Sequence, residues 1–151
     1  MMKKIYAYCI VLVINTGLVF SQWAYLDRPQ LNDVCFAKGS NTAYAVGKVG
    51  LVLKSTNGGS SWTELPFPTR GNGDVELKKV VFPSPLTGYV LAFTNWNYIE
   101  IYKTTNGGNT WTKLQKEFHT GDYFALYMVS NDTGFIVCNT TYYSEEKGIY
   151  R

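Results

Sequence analysis

The sequence predicts an all-β protein made of repeated four-stranded antiparallel units, and three observations carry that prediction. An octapeptide occurs twice: Ser55-Thr56-Asn57-Gly58-Gly59-Ser60-Ser61-Trp62 returns 49 residues later as Thr104-Thr105-Asn106-Gly107-Gly108-Asn109-Thr110-Trp111. Short apolar runs flank it and repeat with it. No stretch beyond residue 21 shows the 3.6-residue apolar period of a helix.

The flanking runs define the unit. Val34-Cys35-Phe36 matches Val80-Val81-Phe82 and, more loosely, Tyr127-Met128-Val129. Ala43-Tyr44-Ala45-Val46 matches Gly88-Tyr89-Val90-Leu91 and Gly134-Phe135-Ile136-Val137. Leu51-Val52-Leu53-Lys54 matches Glu100-Ile101-Tyr102-Lys103 and Gly148-Ile149-Tyr150-Arg151. A fourth run starts at each Trp, and Gly, Asn, Pro and Thr clusters separate the runs. Four short strands in each 45–50 residues are the signature of a β-propeller blade. Strands are expected at 33–36, 43–46, 51–54 and 62–64, and again 45–49 residues on. Blades then fall at about 31–65 and 77–114, with an incomplete third over 124–151, so that residues 22–151 form a partial propeller of about 2.7 blades.

The octapeptide explains its own turn. Asn-Gly-Gly between two strands supplies the positive φ that a tight turn needs, and an Asn side chain can bond backbone amides two residues on. Ser55 and Thr104, with Ser61 and Thr110, offer hydroxyls to the same network around Gly59 and Gly108. Trp62 and Trp111 are expected to fold back into the apolar space of the blade, a burial contributing on the order of 4–6 kcal/mol by area as an upper bound.

The octapeptide resembles the Asp-box, or bacterial neuraminidase repeat, S-x-D-x-G-x-T-W, of sialidases, sortilin-type receptors, xyloglucanases and the photosystem II assembly/stability factor family. The resemblance covers nearly all of 31–151. Asn57 and Asn106 stand where that family more often has Asp; an amide oxygen still accepts the turn's hydrogen bonds. The resemblance implies a propeller whose box is a structural turn on the face opposite the binding site. The pattern G-Y-x-x-G followed by S-T-N-G-G-x-x-W, with short loops, looks most like the photosystem assembly-factor type found in exported bacterial proteins. It implies a non-enzymatic interaction domain and no photosynthetic role.

Residues 1–21 read as a secretory signal peptide: Lys3 and Lys4 at the start, an apolar run over 5–20 broken by Asn15, Thr16 and Gly17, and small Val19 and Ser21 before a cleavage point at Gln22. The run is shorter than the ~20 apolar residues of a membrane span. The mature chain is therefore expected in a bacterial periplasm, at the cell surface or outside the cell, with no membrane span after cleavage. The whole chain carries +3. Without Lys3 and Lys4 twelve basic residues face eleven acidic ones, a balance that points away from nucleic acid. Cys35 and Cys138 fall on strands of non-adjacent blades and read as buried free thiols. His119 is the single histidine and no cysteine pair has ligand spacing, so neither metal nor cofactor is expected.

The chemistry available favours binding. A sialidase needs three converging arginines, and beyond residue 21 only Arg28, Arg70 and Arg151 occur. Other glycoside hydrolases need two carboxylates about 5–9.5 Å apart; Asp33, Asp74 and Asp122 are the acids that could face a central channel. That alternative, a sialidase- or xyloglucanase-like hydrolase, stays open beside the binding reading. Loops at 66–76, 94–98, 115–123 and 139–147 share the face opposite the boxes and carry Trp96, Tyr98, Tyr123, Tyr142 and Tyr143 beside Asn, Asp and Lys. Such a mix suits a protein or carbohydrate partner. Because Arg151 aligns with Lys54 and Lys103, a third box would follow it. The expectation is a reading frame that continues, to roughly six to eight blades; the rival is a ring assembled from several short chains.

Overall fold

A computed structural model describes residues 31–68, 75–94, 98–119, 124–138 and 148–150; for 115–119, 124, 138 and 148–150 the backbone alone is described. The described chain is all-β. β1 (Leu31–Phe36), β2 (Ala43–Gly47), β3 (Val52–Ser55) and β4 (Thr63–Leu65) form a first antiparallel sheet in chain order. β5 (Glu76–Val81), β6 (Gly88–Thr94), β7 (Tyr98–Thr104) and β8 (Thr112–His119) repeat the arrangement in a second. β9 (Phe124–Met128), β10 (Gly134–Cys138) and β11 (Gly148–Tyr150) form a third, three-stranded sheet. Between β2 and β3 lies one 3-10 turn, Lys48–Gly50, where Val49 takes a positive φ of 57°.

Strand sequences explain the layering. β6 reads Gly-Tyr-Val-Leu-Ala-Phe-Thr and is buried along almost its whole length, as a strand covered on both faces must be. One face of the second sheet, with Val80, Phe82, Val90, Ala92, Tyr102 and Trp111, shares a core with Tyr44, Val46 and Val52 of the first. Its other face, with Tyr89, Leu91, Ile99 and Ile101, shares a second core with Leu126, Met128 and Ile136 of the third. The deepest contact is the Tyr44 ring stacked on Phe82, centroids 3.6 Å apart and nearly parallel. Gly88 makes room for it: a Cβ there would collide with the Phe82 ring.

The first strands of the first two sheets are irregular at equivalent places. Register shifts between Leu31 and Asp33 in β1, and between Leu77 and Lys79 in β5. A bulge re-aims the side chain it carries. Asn32 at the first bulge donates to the Leu77 carbonyl at 2.8 Å and to Glu76 Oε1 at 3.1 Å, which ties β1 to β5.

Three expectations need correction. The third sheet matches the others through Leu126-Tyr127-Met128, one residue earlier than the Tyr127-Met128-Val129 alignment. Tyr127 pairs with Phe135 as Cys35 pairs with Tyr44 and Val81 with Tyr89. A one-residue slip exchanges the faces of every side chain, and Leu126 and Met128 are the ones that reach the core. Residues 115–119 are not loop: β8 runs to His119 because Tyr98, at the start of a long β7, pairs with it. The fourth strands begin at Thr63 and Thr112, one residue after each Trp.

Candidate functional site

The antiparallel order places turns at two ends of the sheets. The β1–β2, β3–β4, β5–β6, β7–β8 and β9–β10 turns lie at one end. The β2–β3 connection lies at the other, where β6 and β10 end and β5, β7, β9 and β11 begin. Backbone bonds fix both ends. Gly58 N–H donates to the Asn41 carbonyl and Gly107 N–H to the equivalent Leu86 carbonyl, at 3.1 and 2.9 Å. At the far end Gly50 N–H donates to the Val75 carbonyl at 2.8 Å.

The two octapeptides build the same turn. Ser55 Oγ donates to Asn57 Oδ1 at 2.9 Å and accepts Gly59 N–H at 2.8 Å; Thr104 Oγ1 does the same with Asn106 Oδ1 and Gly108 N–H at 2.9 and 3.0 Å. Asn57 Oδ1 also accepts Ser61 N–H, and Asn106 Oδ1 accepts Thr110 N–H, at 3.0 and 2.9 Å. Each amide nitrogen donates to the hydroxyl of that same residue, at 2.9 and 2.8 Å. Gly58, Gly59, Gly107 and Gly108 all have φ between 68° and 93°, a conformation that side chains with a Cβ resist. The hydroxyl and amide groups of Ser55, Asn57, Thr104 and Asn106 are thus engaged inside the turn.

Outside the turn, the surroundings differ. Trp111 is buried, with the Phe67 and Phe82 rings 5.7 and 6.1 Å away, and its Nε1 has no hydrogen-bond partner among the described residues. Trp62 is only partly buried. The second turn leans on the first sheet: Tyr44 Oη and Lys54 Nζ both donate to the Gly107 carbonyl at 3.1 Å.

At the opposite end, the expected ligand-facing residues are described only in part. Tyr98 opens β7 opposite Thr94, partly buried. Trp96, Tyr123, Tyr142 and Tyr143 lie outside the described residues, as do Asp74 and Asp122. Asp33 is described. Its Oδ2 accepts Val80 N–H at 3.0 Å and its Oδ1 faces Lys79 Nζ at 3.7 Å, so its carboxylate latches β1 to β5.

Sequence reasoning missed Glu100. It is fully buried, accepting from Tyr102 Oη at 2.8 Å and from Lys113 Nζ at 2.9 Å. Its signal was available: a lone acid in Tyr98-Ile99-Glu100-Ile101-Tyr102 shares a strand face with two tyrosines, and Lys113 pairs across from Tyr102. A buried carboxylate needs such donors. The group ties β7 to β8.

Cys35 is a free thiol opposite Tyr44 on the neighbouring strand. Burial, reinforced by the nearby Asp33 charge, pushes the thiol up to about 12. Burial and then Cys35 push the Tyr44 hydroxyl up to about 12 as well. Both are neutral near pH 7, and a protonated thiol is a poor nucleophile. The Cys138 side chain lies outside the described residues. Among the described residues no group of three or more His, Cys, Asp or Glu could hold a metal ion, and no helix is long and apolar enough to cross a membrane. No known family matches this chain, and no curated protein matches it either.

Proposed function

We propose that the chain is part of an exported Asp-box β-propeller that binds a protein or carbohydrate partner without catalysis, at the end of the sheets opposite the octapeptide turns. The carrying observation is the pair of matching side-chain networks around Asn57 and Asn106. Groups bonded inside a turn are not free to hold a ligand, so the boxes serve architecture. Variation is left to the other end, where loops on a rigid scaffold commonly carry recognition. The two four-stranded meanders in chain order support the blade reading. Residues 1–21 support export through their charge and apolar pattern. Asp33 supports a non-catalytic reading, because a backbone amide and a lysine already engage its carboxylate.

The test uses a panel of immobilised glycans and soluble glycosides. Trp96→Ala should abolish binding while leaving the melting temperature unchanged. Asn57→Ala should lower the melting temperature and leave the affinity of the folded protein unchanged. Glycoside turnover that vanishes in folded Asp33→Asn would reverse the proposal in favour of a hydrolase.

A further inference from the structure

Each octapeptide carries a bond open to chemical change. In Asn57-Gly58 and Asn106-Gly107 an asparagine precedes a residue with no side chain. Without a Cβ on the second residue, little hinders ring closure between the side-chain amide and the next backbone nitrogen. Asn57 and Asn106 are both exposed, so water reaches them. In this closure the glycine nitrogen gives up its proton and bonds to Cγ of the asparagine. The Cγ–Nδ2 bond breaks and Nδ2 leaves as ammonia. Water then opens the cyclic imide. Attack at Cγ gives aspartate, and attack at the backbone carbonyl gives isoaspartate, whose main chain runs through the side-chain carbons. Water is the co-reactant and nothing is oxidised or reduced.

The folded turn holds both reacting groups. Gly58 N–H donates to the Asn41 carbonyl at 3.1 Å and Gly107 N–H to the Leu86 carbonyl at 2.9 Å, so each nucleophile keeps its proton. The electrophile is held too. Asn57 Oδ1 accepts from Ser55 Oγ and Ser61 N–H, and Nδ2, the leaving group, donates to Ser61 Oγ. Asn106 is held in the same way by Thr104 and Thr110. Turning the side chain toward the next nitrogen breaks these bonds. Each set lies within one sheet and its own turns, so a neighbouring sheet neither makes nor breaks it.

The two products fit the turn unequally. Aspartate keeps an oxygen at Oδ1 for the Ser55 hydroxyl and the Ser61 amide. Its second oxygen stands where Nδ2 donated, and the Ser61 hydroxyl meets it by turning its own proton round, because a hydroxyl both donates and accepts. Isoaspartate lengthens the main chain between these partners and cannot restore the same bonds. We propose that Asn57 and Asn106 are sites of deamidation gated by the fold: each reacts when its own turn opens, and the aspartate form closes again into the same turn. Local opening then sets the rate, turn by turn.

The test incubates the full chain at mildly alkaline pH, in buffer and in guanidinium chloride, and follows the peptide from each octapeptide by mass spectrometry after digestion. Both sites should react about tenfold or more slowly in buffer than in denaturant. Ser55→Ala removes a hydroxyl from the first turn only. It should speed Asn57 several-fold in buffer and leave Asn106 at its wild-type rate; Thr104→Val should do the reverse. The untouched site in each variant reports on global unfolding, which would speed both. Asn57→Asp should melt with the wild-type chain, and Asn57→Ala below it. Equal rates in buffer and denaturant would overturn the proposal, as would a folded Ser55→Ala chain in which neither site speeds up or both do so equally. Asn57→Asp melting as low as Asn57→Ala would overturn the reclosure of the aspartate form. Should either hydroxyl variant fail to fold, the wild-type rates and the Asn57→Asp melt decide.

Discussion

Asn57 and Asn106 sit in turns whose bonds to the Asn side chain correspond, yet Trp111 is buried where Trp62 is only partly so, and Phe82 is covered where Phe36 stands open. The difference separates two levels of structure. Eight local residues decide the turn, because its bonds close within four residues of each Asn. Burial is decided by what lies across the sheet. The second octapeptide has Tyr44, Lys54, Phe67 and Leu65 of the preceding sheet region against it; among the described residues the first has no such sheet on its outer side.

The largest expected effect breaks that contrast at the phenylalanines. Phe82→Ala removes a fully packed ring and should cost about 3–5 kcal/mol, whereas Phe36→Ala in dilute solution should cost about 0.5 kcal/mol or less. Urea unfolding of the two variants measures both. Lys113→Met comes next. It takes one donor from the buried Glu100 carboxylate and should cost on the order of 3 kcal/mol, with a smaller loss in the Lys113→Met, Glu100→Leu double variant. Asn57→Ala and Asn106→Ala should each cost about 1 kcal/mol, the scale of a lost capping bond, and should match each other closely because the turns match. Unequal losses would mean that the sheet beyond contributes to the turn itself.

Most of the fold was legible because it is local. Strand alternation, the Asn-Gly-Gly turns and the repeat placed three sheets from residues alone, and the octapeptide named its own hydroxyls; the backbone amide each Asn accepts lies four residues on and not two, because the amide two residues on goes to the Ser55 or Thr104 hydroxyl. The third sheet's register was misread by one residue because Val129 resembles Phe36 and Phe82 more than Met128 does; pairing of Tyr127 with Phe135 decides it. The bulges at Asn32 and Lys78 leave no local mark, and the inter-sheet bonds of Asn32 and Asp33 depend on a strand 45 and 47 residues away. Glu100 was legible in principle from its place between isoleucines. The aromatic residues offered for binding rested on loop position, which the described residues reach only at Tyr98.

A smaller effect sharpens the picture of the first junction. Cys35 and Tyr44 face each other, and both are raised above their ordinary values by burial. A raised folded value contributes stability that is complete below the unfolded value and is lost as pH climbs through the folded one. Stability should therefore fall between the ordinary thiol value of 9.0 and about 12, and Cys35→Ala should flatten that alkaline fall in a melting-temperature profile. Cys35 should also resist alkylation at neutral pH until the chain unfolds.

The most direct test compares the two tryptophans in one experiment. Trp62→Ala and Trp111→Ala change the same residue of the same octapeptide, so a purely local account gives equal losses. Equilibrium urea unfolding in dilute solution should instead show a loss of about 3–5 kcal/mol for Trp111→Ala and about half that or less for Trp62→Ala. Equal losses, or a larger one at Trp62, would contradict the claim that the neighbouring sheet, and not the turn, sets how deeply each repeat is buried.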